Sequence, residues 1–215
     1  MANRAYLYSL SNQPTSYADR PETVTGLSEW AYAIPFSYRA LMSGDPRRCA
    51  SLLSDGFEDE PADGKTKLYA ISADFEVGFA RLKRFFAIAR PLVGTSSPRL
   101  LAEMEETIRF LQAHRDRYLL LETVELDCMN ASGEAELQTC VDNEIDECRS
   151  TGEAIDELPE DPEEASRQLR LAIRGHSPLA EAFQGLQLND DYDNVSGGGT
   201  KYPLGLGWST ELFFG

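Results

Sequence analysis

Tyr118-Leu119-Leu120-Leu121-Glu122-Thr123-Val124-Glu125-Leu126 is the stretch on which the fold class turns. It reads as a strand, or as the continuation of the helical pattern before it, because a short leucine run fits either period. As a strand it would join two others. Ala5-Tyr6-Leu7-Tyr8-Ser9-Leu10 alternates and is aromatic, and Lys67-Leu68-Tyr69-Ala70-Ile71 reads likewise. The expected fold is α+β, a single domain over 1–215, with several amphipathic helices packed on a small, mainly antiparallel sheet. The N-terminal and Lys67 strands supply that sheet. The Tyr118 run and the apolar C-terminal segment are candidates for further strands, the latter as an edge beside the N-terminal strand.

Outward from Glu122 the chain becomes acidic. Residues 122–164 hold sixteen Asp and Glu against one basic residue, Arg149. The whole chain carries −16, so the remainder is close to neutral and electrostatic behaviour is set in this segment. Leu137, Cys140, Val141, Ile145 and Cys148 recur at helical spacing, which gives one apolar stripe and an acidic outer face. Residues 152–160 read as a connector.

Four dipeptides read as helix starts: Asp45-Pro46, Ser97-Pro98, Asp161-Pro162 and Ser177-Pro178. Each pairs a side-chain acceptor with a proline that has no N–H to leave unpaired. Glu164 adds a capping-box pattern to Asp161. Asp74 reads as the cap of a helix that Pro91 ends, and Pro35 as the first turn of a helix running to Met42. Leu101, Met104, Ile108 and Leu111 give the Ser97 helix its stripe. Residues 12–25 read as a loop.

An apolar content of 42% excludes a disordered chain. No apolar run approaches the roughly 20 residues that span a bilayer. The opening lacks the apolar core of a signal peptide, so the expected compartment is the cytoplasm, with Cys49, Cys128, Cys140 and Cys148 as reduced thiols. The negative charge argues against nucleic acid and anionic membranes as partners.

Catalytic and metal patterns fail on spacing. Asp190-Asp191-Tyr192-Asp193-Asn194 offers hard oxygens without the alternation and central glycine of an EF-hand, and reads as an acidic surface loop. Gly197-Gly198-Gly199-Thr200-Lys201 continues into Tyr202-Pro203, which does not match a phosphate-binding loop and reads as a hinge. His114 and His176 have no Cys or His at zinc spacing. The Cys140 and Cys148 pair reads as buried, inert thiols, and Glu122 with Glu125 as a carboxylate pair that arises easily by chance. No cofactor, no metal and no catalytic residue is expected.

The opening Met1-Ala2-Asn3-Arg4-Ala5-Tyr6-Leu7-Tyr8-Ser9, the Gly26-Leu27-Ser28-Glu29-Trp30 segment with Ile34-Pro35, the Tyr118–Glu122 run and the late Trp208-Ser209 resemble a family of uncharacterised bacterial proteins. The resemblance implies a bacterial, cytoplasmic, single-domain protein and assigns no functional residue.

The expected function is non-enzymatic binding of a basic protein, in the manner of an immunity or inhibitor protein. Glu136, Asp142, Asp146 and Glu147 on the outer face of the helix over 137–148 are the expected contacts. The alternative is an enzyme of unrecognised type with a pocket near Trp30, Tyr32 and Trp208.

Overall fold

The computed structural model describes residues 3–57, 60–61, 64–95, 97–194 and 203–213. Among them are strands β1 (Arg4–Leu10), β2 (Val24–Ala31), β3 (Arg47–Ala50), β4 (Tyr69–Asp74) and β5 (Tyr118–Glu122). They form one antiparallel sheet in the order β2-β1-β5-β4-β3. The helices are α1 (Phe36–Met42), α2 (Phe75–Val93), α3 (Pro98–Ala113), α4 (Val124–Asp127), α5 (Glu134–Glu157), α6 (Pro162–Ile173) and α7 (Ala180–Phe183). The α+β class expected from sequence is the class observed.

The Tyr118 run resolves as strand through Glu122, then turns at Thr123 into the single helical turn α4. Its leucines are continuous because β5 is central and buried on both faces. Leu119 and Leu121 join Ala5, Leu7, Ile71 and Ala73 in the main core beneath the helices. Leu120 points the other way and packs with Leu10, Leu52 and Ala70 in a smaller cluster. A strand buried on two sides loses the alternation that would identify it.

Two helices start as their caps dictate. Asp161 accepts from the Glu164 N–H, and Asp74 from Val77. Ser97 makes no side-chain cap; Asp190, from a distant loop, accepts from Leu100 N–H at 3.0 Å instead. Helix α1 also stands where Pro35 placed it.

Other readings are corrected. No helix begins at Asp45. Its φ of 55° is left-handed, its carboxylate pairs with Arg47, and the chain continues as β3 along β4. Pro91 does not end α2, which runs to Val93; so near the terminus proline forfeits a single intrahelical bond. Residues 152–157 are not a connector. Helix α5 passes straight through Gly152, where an added Cβ would meet Ser43 and Arg81 at 2.6 Å. The Ser177-Pro178 start yields only the one-turn α7, beginning at Ala180. Within 12–35, strand β2 emerges because long-range pairing with β1 overrides the Gly26 and Ser28 positions. In α3 the buried row is Leu100, Met104, Thr107 and Leu111, with Leu101 and Ile108 beside it.

The C-terminal segment packs back without forming a strand. Leu204 and Leu206 are buried, and Ser209 N–H donates to Leu27 carbonyl at 2.9 Å. It lies along β2 rather than β1, because β1 is flanked on both sides and β2 has the open edge. The glycine run 197–199 lies outside the described residues.

Candidate functional site

The outer face of α5 carries the expected acidic row, and the structure divides it in two. In the N-terminal part each carboxylate is engaged within the molecule. Glu136 accepts from Ser132 N–H at 3.0 Å and so closes the helix start. Asp142 meets Arg48 of β3 at 3.2 Å, Asp146 meets Arg149 at 3.0 Å, and Glu147 meets Arg39 of α1 at 3.4 Å. Beneath them Glu144 takes a bidentate pair from Arg39, at 2.7 and 2.8 Å. Burial pushes Glu144 up from the ordinary carboxylate range, against the downward pull of Arg39.

The C-terminal half of α5 differs. Glu147, Ser150, Thr151, Ala154 and Glu157 fall on one helical row and form one wall of a groove of about 210 Å³. Glu153 lies at its rim, and Pro178, Leu179 and Glu181, at and before α7, form the other wall. Four carboxylates line this groove and no cationic residue does. Among the described residues Glu153, Glu157 and Glu181 form no ion pair.

The last turn of α5 also holds no basic residue. A helix C-terminus is its negative end, so acids there are opposed by the dipole as well as by one another. Asp156 is relieved by Arg81 at 2.5 Å. Glu153 and Glu157 are not relieved.

Sequence reading missed Glu153 and Glu157 because it broke the helix at Gly152, and Glu181 because only the folded chain sets α7 beside α5. Of the four expected residues, Glu147 alone lines the groove. Asp142 and Asp146 stay exposed on the same helix, each with its own arginine, and Glu136 is at the opposite end.

A second cluster lies on the sheet face turned away from the helices. Glu122 is fully buried there, accepting from Ser51 hydroxyl at 2.8 Å and Leu52 N–H at 2.6 Å. Burial raises its pKa from the ordinary 4.5 to about 7. Glu125, its expected partner, is separate and accepts from Arg4 N–H and Tyr6 hydroxyl at 2.8 and 3.0 Å. Cys49 shares the outer face, its thiol pushed up to about 12 by burial. Cys148 is buried and its thiol is likewise raised by burial, whereas Cys140 is only partly buried. Thiols held this far above neutrality are poor nucleophiles.

The aromatic residues of the alternative reading are spread through the fold. Trp208 donates from Nε1 to Thr107 hydroxyl at 2.8 Å and packs on Tyr38 and Phe110. Trp30 is half-buried against the core, and Tyr32 is exposed at φ 63°. Five cavities of the protein, the acidic groove among them, are lined by none of the three. His114 bonds to the Phe110 carbonyl at the end of α3, and Asp193 to Gly205 N–H, so both serve local structure. No helix among the described residues is long and apolar enough to cross a membrane.

A family model described as a domain of unknown function (DUF7822) matches residues 11–172, and the chain belongs to that family. The match begins just after β1 and spans β2 to β5, together with α1 to α6 up to Ala172. No curated protein and no solved structure matches the chain.

Proposed function

We propose that this member of the DUF7822 family is a non-enzymatic, cytoplasmic binding protein of bacterial origin, acting as an inhibitor or immunity protein does by masking a basic protein partner. The observation that carries this reading is the groove at the end of α5. Its four carboxylates face a space lined by no cation, at the negative end of a helix. Lys or Arg side chains of a partner would supply the charge this end lacks. The row Asp146, Asp142 and Glu136 extends the negative face along the helix and steers the encounter, its paired carboxylates still contributing to the long-range field.

Charge reversal at Glu153, Glu157 and Glu181 tests the reading against reversal at Glu105 and Glu106 on α3. Pull-down from native extract at low and high salt supplies the partner. The expected result is a basic protein whose association with wild type weakens with salt and is lost in the groove variant alone. Equal loss in both variants, or retention by the groove variant, would overturn the assignment of the groove.

A further inference from the structure

A cavity of about 660 Å³ lies on the sheet face opposite the helices, between the 13–17 loop and the β3–β4 edge. That volume is in the range of small-molecule sites, about 300–1,000 Å³. In a chain of net charge −16 its lining is unexpectedly basic: Arg47, Arg48 and Lys67 against Asp55 alone. Asp55 is neutralised by Lys65 at 2.7 Å. Arg48 is committed to Asp142 and lies over the Tyr69 ring. Lys67 is exposed and forms no ion pair among the described residues.

Ser72 lies beneath the same cavity, its hydroxyl buried and in contact with the Cys49 thiol. Ser72 stands directly opposite Arg47 in the β3–β4 ladder, so both side chains leave the sheet on the same face. Arg47 gives one guanidinium nitrogen to Asp45 and has further N–H donors to offer.

We propose that this cavity binds a small anionic molecule, a phosphate monoester or carboxylate on a flat apolar body. The anion accepts from Arg47 and Lys67. Pro14, Tyr17 and Leu68 cover its apolar part. The site is on the opposite sheet face from the acidic groove and does not depend on the reading of that groove.

The test is a titration of the full chain followed by backbone amide NMR, with four matched probes: phenyl phosphate, benzoate, phenol and benzylamine. Saturable shifts are expected at Arg47, Lys67 and Ser72 with one or both anions; the anion bound more tightly identifies the preferred group. Phenol should bind at least about tenfold more weakly, and benzylamine not at all. Lys67→Glu should abolish the shifts. Arg47→Gln, at an exposed position, should weaken anion binding about tenfold. Benzylamine binding as well as the anions, anion shifts elsewhere on the surface, or unchanged affinity in either variant would overturn the proposal.

Discussion

At the scale of single residues, Glu122 is the clearest case of environment overruling chemistry. Full burial raises its pKa to about 7 although Ser51 and Leu52 donate to it. The folded chain therefore holds this proton more tightly than the unfolded one. The linked stability is complete below about pH 4.5 and is lost as pH rises through about 7. A shift of that size corresponds to something on the order of 3 kcal/mol. Glu122→Gln keeps an acceptor for Ser51 and Leu52 but cannot ionise. Urea unfolding between pH 4.5 and 8 should show a decline in stability for wild type that is markedly flatter in the variant. Parallel pH profiles would show that Glu122 does not ionise inside the fold. In the sequence Glu122 is one acid among sixteen between 122 and 164, and nothing local separates it from Glu125. The separation comes from the sheet, which buries one carboxylate and leaves the other to cap Arg4 and Tyr6.

At the scale of elements, the caps at Asp161 and Asp74 were legible, while the starts expected at Asp45, Ser97 and Ser177 failed or were altered by distant contacts, and close approach was not legible. Asp161 and Asp74 act as their side chains suggest, since a cap is decided within four residues. Gly152 and Gly78 are intrinsically weak helix positions, yet each is where another segment comes too near for a side chain. A Cβ on Gly78 would sit 1.6 Å from the Leu41 carbonyl oxygen of α1. Backbone cannot yield as a flexible side chain does, so Gly78→Ala should cost more than about 3 kcal/mol, at or beyond the usual overpacking range. Chemical denaturation checks this; a loss below about 1 kcal/mol would mean that α1 and α2 cross more loosely. The end of α5 gives the opposite expectation. Glu157→Lys removes a dipole conflict and a repulsion with Glu153, replacing it with an attractive i, i+4 pair. It should stabilise the fold by about 0.3–1 kcal/mol while weakening capture of a basic partner. Lost stability in that variant would mean Glu157 makes a structural contact of its own.

At the scale of the whole molecule, the fold class was legible because alternation in β1 and capping of the helices are local signals. Strand order was not, because β2 and β3 are defined only by their partners. The apolar tail is an intermediate case: composition required it to pack, and the sheet's open edge decided where. Removing residues 208–215 deletes the Trp208 contacts with Tyr38, Phe110 and Thr107, and the Ser209 bond to β2. That loss is worth roughly 2 kcal/mol or more, a fall in Tm of about 4–8 °C. An unchanged Tm would make the segment dispensable.

Charge is organised at this largest scale too. Arginines from α1, α2 and β3 reach across to α5 and neutralise much of its face, leaving Glu153 and Glu157, beside Glu181, without an ion pair among the described residues. The central claim is that this end of the molecule, and not negative charge in general, receives cations. Amide NMR of the full chain titrated with a tetralysine peptide at low salt tests it most directly. Shifts concentrated at Glu147, Glu153, Glu157 and Glu181, saturating and lost when Glu153 and Glu157 are reversed to lysine, are the predicted result. Shifts spread evenly over Glu105, Glu163 and the other exposed acids, or surviving that reversal, would contradict it.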